Sequence, residues 1–233
     1  RKLEYTLKAA MNQGCNAVIT CGGIQTNHGR ATVIAAVKLG LKPYLVLRSD
    51  EDDVLNGNYF LDELFGAEVI KITAEAYKNE RNQIMENLKN DLSGKGIRAY
   101  VIPEGASYGL GNWGYVRAVN EIITQEKEMG VTFDYLTGAM GSGSTHAGMI
   151  LGAHLYETNH QVIGFNIYDA SVDGNEKIYN LIQETGLDLT IDRSRFDINN
   201  DYVGKGYALS TPGEIEWIRR FTKEEGVLLD TVY

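Results

Sequence analysis

The fold class is decided by residues 17–40, which read AVITCGGIQTNHGRATVIAAVKLG. The apolar run at 17–21 predicts a short buried strand, two glycines and a polar turn follow it, and a helical pattern over 27–39 ends at Gly40. The same order of strand, glycine-containing loop and helix recurs along most of the chain. Such alternation is typical of βαβ units, so we predict an α/β fold with mostly parallel sheets covered by helices on both faces.

The remaining elements follow the same two patterns. Together with residues 17–21, strands are predicted at 44–47, 68–72, 99–102, 135–137 and 162–167. Helices are predicted at 3–13, 27–39, 58–65, 75–92, 112–129, 145–156, 176–184 and 212–225. Residues 186–211 show no regular pattern, and we assign no element to them.

The composition is that of a folded globular protein. Hydrophobic residues make up 43% of the 233 positions and charged residues 23%, which excludes wholesale disorder. The 22 basic and 31 acidic residues give a net charge of −9, so we expect neither a nucleic acid nor a membrane surface as partner. Two cysteines form no disulfide framework, which favours a reducing cytoplasmic location. No apolar stretch is long enough to predict a membrane span or a signal peptide.

An anion-binding loop is predicted from the glycine-rich residues 138–145, which follow the strand at 135–137. Glycines in this loop let backbone N–H groups converge, and the next helix adds partial positive charge at its first turn. Hydroxyl donors are added by Ser142, Ser144 and Thr145. Because each charge-assisted hydrogen bond contributes about 1.5–3 kcal/mol, such a loop can bind a phosphate without Lys or Arg. The alternative is a glycine-rich turn with an ordinary N-cap.

Other common site patterns are absent or poorly placed. The Gly-x-Gly-x-x-Gly at 109–114 lies too far from the strand at 99–102 for a dinucleotide fingerprint, and the chain has no Gly-x-x-x-x-Gly-Lys-Ser/Thr motif. Neither Ser142 nor Ser144 lies in a Gly-x-Ser-x-Gly nucleophile motif. The four histidines are too scattered for metal ligands, so we expect no metal site.

Several short motifs together point to one family. They are Arg-Lys-Leu-Glu-Tyr at 1–5, Gln-Thr-Asn-His at 25–28, Gly-Asn-Tyr at 57–59, Gly-Ser-Gly-Ser-Thr-His-Ala-Gly at 141–148, Gly-Tyr at 206–207 and Leu-Leu-Asp-Thr-Val-Tyr at 228–233. With these motifs, the chain resembles the family of D-cysteine desulfhydrases and 1-aminocyclopropane-1-carboxylate (ACC) deaminases over essentially its whole length. Members of that family are pyridoxal 5′-phosphate (PLP) enzymes with the tryptophan-synthase-β fold, called fold type II.

The resemblance implies two lobes, each an open, mostly parallel twisted sheet flanked by helices, with the active site between them. Residues 13–112 would form the smaller lobe, and residues 1–12 and 113–233 would form the larger lobe. The resemblance also implies a cytoplasmic homodimer that acts on a small amino acid.

The resemblance further assigns residues to the cofactor. Asn27 would bind the cofactor's ring oxygen. The phosphate would be bound by Gly141, Ser142, Gly143, Ser144 and Thr145. The family's Schiff-base lysine is expected two residues before Arg1, so we expect the sequence to be truncated there. We also expect it to be truncated after Tyr233, where residues that separate the family's two reactions would follow.

The resemblance places other residues at the substrate. Thr26 stands where the family usually has serine, near the substrate carboxylate and the α-carbon, and its extra methyl group bears on substrate size. Gln25 and His28 would line the same pocket, with a structural role as the alternative for His28. Tyr207 and Tyr233 would face the substrate as proton donors or positioning groups, because a tyrosine with its ordinary pKa near 10 is a poor base at neutral pH.

The expected activity is a PLP-dependent lyase or deaminase reaction, in which the cofactor carries the chemistry and the protein orients it. Conversion of D-cysteine to pyruvate, ammonia and sulfide is the favoured reaction. Deamination of ACC to 2-oxobutyrate and ammonia is the alternative within the family. A non-catalytic module that binds a phosphate-bearing ligand is the alternative outside it.

Overall fold

The structure, a computed structural model, describes residues 1–49, 53–167, 173–206 and 209–231. It divides into two compact units, Arg1–Gly114 and Tyr115–Tyr233. This division places residues 1–12 in the first unit, whereas the family resemblance groups them with the larger lobe, and the assignment of lobes stays a prediction. Within the described ranges, no helix is both long and apolar enough to cross a membrane.

The first unit alternates helices with strands. Its elements are α1 (Lys2–Asn12), β1 (Ala17–Gly23), α2 (Asn27–Lys38), β2 (Lys42–Arg48), α3 (Gly57–Leu64), β3 (Glu68–Ile72), α4 (Ala74–Gly94) and β4 (Ala99–Val101). The strands form one parallel sheet in the order β3–β2–β1–β4, with Ala17 opposite both Lys42 and Ala99. The four strands predicted here are confirmed, although β2 begins at Lys42 rather than at Tyr44.

Helices cover both faces of this sheet. Successive strand residues point to opposite faces, so neighbouring positions of β1 belong to different parts of the core. Ile19 packs in one cluster with Tyr77 of α4, and Val18 packs in another with Leu7 of α1 and Ala36 of α2. β1 is buried along almost its whole length, as expected for the central strand of a parallel sheet.

The second unit continues the alternation. Its elements are α5 (Gly109–Met129), which starts in the first unit, β5 (Tyr135–Met140), α6 (Ser144–Leu155), β6 (Gln161–Asn166), α7 (Gly174–Gln183), β7 (Asp197–Asn199) and α8 (Pro212–Glu225). The strands pair in parallel in the order β5–β6–β7. β7 was not predicted, because it is a three-residue strand in the segment 186–211, which shows no periodicity.

Close backbone packing defines the core of the second unit. Most of the 12 residues of α6 are buried. A Cβ atom at Gly152 of α6 would lie 2.9 Å from Cγ2 of Val119 and 3.1 Å from Cα of Val116, so α6 and α5 meet where no side chain fits. In the same way, a Cβ atom at Gly164 of β6 would lie 2.8 Å from the ring of His146.

We expect Gly152→Ala to lower the free energy of unfolding by about 1–2 kcal/mol, because an overpacking cost of about 1–3 kcal/mol exceeds the gain in helix propensity of about 1 kcal/mol. Gly94→Ala is the matched control, since no atom lies within 4 Å of a Cβ at that helical position. It should be neutral or stabilising by up to about 1 kcal/mol. Urea denaturation measures both, and equal stability of the two variants would contradict the close packing of α5 and α6.

Candidate active site

The turn at residues 24–28 connects β1 to α2 and carries four of the predicted site residues. Thr26 is the N-cap of α2, and its Oγ1 accepts a hydrogen bond from the Gly29 N–H at 3.3 Å. The Thr26 N–H donates to the Gly23 carbonyl oxygen at 2.9 Å. These bonds fix the turn at the carboxyl end of a parallel strand, which is where ligands of open α/β sheets collect.

The methyl group of Thr26 packs into a notch between two glycines. A Cβ atom at Gly22 would lie 2.6 Å from Cγ2 of Thr26, and one at Gly29 would lie 2.5 Å from the same atom. Neither position therefore tolerates a side chain while threonine is present. The methyl group of Thr26, which the family's usual serine lacks, therefore fills this notch.

The Gln25 side chain ties this turn to the start of α3. Its Nε2 donates to Oδ1 of Asn56 at 2.9 Å, and its Oε1 accepts from the Asn58 N–H at 2.8 Å. The N-cap residue Asn56 makes no side-chain cap of its own, so Gln25 satisfies an N-terminal N–H of α3 from a distant part of the chain. Contact of Gln25 with a substrate stays a prediction.

The Asn27 side chain meets two hydrogen-bond donors. Its Oδ1 accepts from Nδ2 of Asn58 at 2.9 Å and lies 3.4 Å from Nη2 of Arg30. Asn58 belongs to the Gly-Asn-Tyr motif at 57–59, for which no role was predicted. The pairing joins α2 to α3 across 31 positions of the chain, so no local pattern could reveal it.

The His28 ring forms a hydrogen bond with Thr20, a buried residue of β1. Its Nε2 lies 2.8 Å from Oγ1 of Thr20, and the Thr20 hydroxyl donates its proton to the Ile102 carbonyl oxygen at 2.8 Å. Because that hydroxyl has no second proton, Nε2 of His28 must be the donor of the pair. Burial, helped by the charge of Lys2, lowers the pKa of His28 to about 3, so the ring is neutral at physiological pH.

Two further ionisable side chains lie near the turn. Burial lowers the pKa of Lys2 to about 8. Asp62 of α3 is fully buried, and its Oδ2 would lie 3.8 Å from a Cβ atom at Gly29. Burial raises the pKa of Asp62 to about 7, and the positive charge of Arg30 opposes that rise. Both shifts arise from tertiary burial, for which the sequence pattern carries no signal.

The predicted phosphate loop connects β5 to α6. Gly143 is the N-cap of α6 with φ of +93°, a left-handed conformation that favours glycine. A glycine cap brings no side-chain acceptor to the first turn of α6, where the backbone N–H groups carry partial positive charge. The adjacent residue Ser144 is fully buried. The loop has the geometry of an anion site at a helix N-terminus.

Helix α7 packs against this loop. Lys177 donates from Nζ to the Gly141 carbonyl oxygen at 3.3 Å. A Cβ atom at Gly143 would lie 3.2 Å from Cδ1 of Leu181 and 3.7 Å from the Lys177 side chain, so these two side chains fill the space beside the glycine. Lys177 thus brings a positive charge to the loop from 36 positions away, which the local sequence could not show.

The structure groups the predicted residues into one turn, 25–28 in the first unit, and one loop, 141–145 in the second. Tyr207 and Tyr233 lie outside the described residues, and their roles stay predictions. The Gly-x-Gly-x-x-Gly at 109–114 lies inside α5 instead of in a turn after a strand. This position agrees with its exclusion as a dinucleotide fingerprint.

Replacing Thr26 tests the packing of its methyl group. We expect Thr26→Ser to lower the free energy of unfolding by about 1 kcal/mol, because it removes a packed methyl group and keeps the cap. Thr26→Val is the matched variant, which keeps the methyl group and loses the cap at a cost of about 1–2 kcal/mol. Chemical denaturation measures both changes. A serine variant as stable as the parent would show that the notch between Gly22 and Gly29 is not filled as described.

Neutral burial of His28 predicts acid sensitivity. Its folded pKa of about 3 lies below the unfolded value of 6.5, so the unfolded chain binds the extra proton, and stability falls as pH drops below about 6.5. His146, whose pKa burial lowers to about 4, adds to this loss. His28→Gln should reduce the slope of unfolding free energy between pH 6 and 4 by up to about 1.4 kcal/mol per pH unit. Denaturation at several pH values measures it, and parallel slopes would contradict the neutral burial of His28.

Comparison with known proteins agrees with the predicted fold and cofactor. Residues 1–233 match the family described as "Pyridoxal-phosphate dependent enzyme". The chain is 38% identical to the "Bifunctional D-cysteine desulfhydrase/1-aminocyclopropane-1-carboxylate deaminase, mitochondrial" of Arabidopsis thaliana, with all of this chain and 60% of that protein covered. It is 33% identical to the "D-cysteine desulfhydrase" of Serratia proteamaculans, with all of this chain and 72% of that protein covered.

A solved structure shares the fold. The "ACC deaminase homologue" superposes with a TM-score of 0.87 at 36% identity, over all of this chain and 70% of that one. The predicted α/β fold of type II and the predicted PLP cofactor are thereby confirmed. The chain belongs to the pyridoxal-phosphate-dependent enzymes, in the family of the D-cysteine desulfhydrases and ACC deaminases.

Proposed function

We propose that the protein converts D-cysteine and water into pyruvate, ammonia and hydrogen sulfide. The observation that carries this proposal is the similarity, over the whole chain, to two proteins that are both named as D-cysteine desulfhydrases. Deamination of ACC is the second candidate, because the plant relative carries both names and the similar solved structure is called an ACC deaminase homologue. Both reactions act on a small amino acid. The homodimer expected from the resemblance stays a prediction.

The phosphate loop fits the anionic end of PLP. Residues 141–145 combine a left-handed glycine at the N-cap with the positive end of the α6 dipole, and Lys177 adds a charge behind them. In the first unit, the Oδ1 atom of Asn27 is already engaged by Asn58, so its amide nitrogen is the atom that would donate to the ring oxygen of PLP. The residues present therefore fit the cofactor that the family uses.

Thr26 is assigned to the substrate carboxylate. When bound, PLP delocalises the electron pair left at the substrate α-carbon as a proton is removed. The Thr26 Oγ1 accepts from the Gly29 N–H, and its hydroxyl proton therefore points away from that bond and can be donated to a carboxylate oxygen. Since the methyl group packs against Gly22 and Gly29, threonine provides this hydroxyl in the same way as the serine found at this position in the family.

Proton transfer is assigned to tyrosine and not to His28. The Nε2 proton of His28 is directed to Thr20, and its lowered pKa keeps the ring uncharged at neutral pH. A tyrosine with an ordinary pKa near 10 is protonated at pH 7 and can donate to a departing thiolate. We therefore propose Tyr207 and Tyr233 as the donors, in agreement with the family resemblance.

Assay of the purified full-length protein with PLP tests the proposed reaction. We expect sulfide and pyruvate from D-cysteine, with a kcat/KM about tenfold or more above that for ACC, which corresponds to about 1.4 kcal/mol in transition-state stabilisation. L-cysteine is the control for chirality and should give about tenfold less product or lower. Sulfide release and 2-oxo acid formation are measured in parallel.

Two results would overturn the proposal. Formation of 2-oxobutyrate from ACC without sulfide from D-cysteine would establish the second candidate instead. The absence of product from all three substrates, in a protein that shows the borohydride-sensitive visible absorbance of bound PLP, would remove both reactions.

A further inference from the structure

The orientation of the Asn27 amide is set by its neighbours. The two ends of an asparagine amide have nearly the same shape, and the hydrogen bonds around them decide which end is oxygen. Asn27 faces Nδ2 of Asn58 at 2.9 Å and Nη2 of Arg30 at 3.4 Å. The guanidinium of Arg30 can only donate, so it requires an acceptor on this side of the amide.

The orientation of Asn58 is fixed independently. The same Nδ2 atom of Asn58 donates to the backbone carbonyl oxygen of Gln25 at 2.8 Å. A carbonyl oxygen only accepts, so the Asn58 atom that faces both Gln25 and Asn27 must be its nitrogen. Asn58 therefore presents a donor to Asn27, and the facing atom of Asn27 must be Oδ1.

The opposite orientation of Asn27 is unfavourable for the same reason. Turning the amide over would place its NH₂ group against two other donors. An unpaired polar group costs about 1–3 kcal/mol at a fully buried position, and Asn27 and Asn58 are half-buried, so the cost here is smaller. The contact with Asn58 is the shorter of the two, so it makes the larger contribution to the preference.

We propose that Asn58 is a positioning residue that fixes the Asn27 amide with its nitrogen turned away from α3 and toward the ring oxygen of the cofactor. Asn58 acts through Asn27 and does not touch the cofactor itself. The inference rests on the role that the proposed function gives to Asn27. It assigns a chemical reason to the Asn of the Gly-Asn-Tyr motif at 57–59, which neither the sequence nor the comparisons supply.

An N–H donor at the ring oxygen would change the ionisation of the cofactor. An N–H group that donates to the ring oxygen stabilises its negatively charged form, which lowers the pKa of the proton shared with that oxygen. Loss of the donor raises that pKa. Among the described residues, Arg30, Asp62 and, beside His28, Lys2 are charged groups near Asn27 that Asn58→Ala leaves in place, whereas Asn58→Asp adds a carboxylate of its own.

Two variants of Asn58 test the inference in the full-length holoprotein without substrate. Asn58→Ala removes the shorter donor from Oδ1 of Asn27, while the longer contact with Arg30 remains. Asn58→Asp keeps the shape but places an acceptor and a negative charge against Oδ1 of Asn27, which opposes the amide orientation that Arg30 still favours. We expect the pH midpoint of the cofactor's visible absorbance to rise in both, by about one unit in Asn58→Asp, and PLP affinity to fall about tenfold. Spectrophotometric titration measures both.

Asn56→Ala is the matched control. Asn56 accepts from Nε2 of Gln25 through its backbone carbonyl oxygen and its Oδ1 atom, and so holds the same turn to α3. We expect the control to leave the pH midpoint unchanged. If Asn56→Ala raises the midpoint as much as Asn58→Ala does, then Asn58 only holds the turn in place and the inference is wrong. Thermal unfolding of the apoproteins checks that each variant folds.

A double substitution tests whether Asn58 acts through Asn27, and Asn27→Ala alone tests the role of Asn27. If Asn58 acts through Asn27, adding Asn58→Ala to Asn27→Ala should move the midpoint by less than about 0.2 units. Full additivity would contradict the inference. If Asn27→Ala itself leaves the midpoint and PLP affinity unchanged, the assignment of Asn27 to the ring oxygen fails. A shift with Asn27→Ala but none with either Asn58 variant overturns the inference alone.

Discussion

The pairing of β1 on both edges is the constraint on which the first half of the candidate site depends. β1 lies between β2, which pairs along its whole length, and β4, which pairs with Ala17, Val18 and Ile19, and helices bury both of its faces up to Gly22. A shift of one residue would move every buried side chain of β1 to the other face of the sheet. The register of β1 therefore fixes the position of the turn that follows it. At that position Gly22 and Gly29 leave room for Thr26, and Thr26 caps α2.

The two candidate binding segments solve the same geometric problem in different ways. Each follows a parallel strand and begins a helix, but α2 is capped by the Thr26 side chain, whereas α6 begins at Gly143 without a side-chain cap. In the first arrangement, the Thr26 hydroxyl accepts a hydrogen bond from an N–H at the helix end. In the second, the positive end of α6 has no side-chain cap. The same strand–loop–helix unit therefore presents a capped helix end in one case and an uncapped one in the other.

Local patterns in the sequence predicted the strands and loops whose formation depends on residues close together in the chain. The strands at 17–21 and 68–72 and the glycine-rich loop before α6 were predicted because apolar runs and glycine positions act over a few residues. The contacts that orient the site were not predictable, because Asn58 with Asn27 and Lys177 with Gly141 join positions 31 and 36 residues apart.

The net charge of the chain and its anionic cofactor are compatible because electrostatic effects are short-ranged here. A chain with a net charge of −9 repels a phosphate only over long distances, and salt screens that repulsion beyond about 8 Å at physiological ionic strength. At contact distance, the N-terminus of α6 contributes about half a positive charge, and Lys177 lies against the same loop. Near Asn27, burial lowers the pKa of His28 to about 3 and raises the pKa of Asp62 to about 7, so both side chains carry less charge at neutral pH than they would at their ordinary pKa values. Local polarity, fixed by packing, therefore outweighs the net charge.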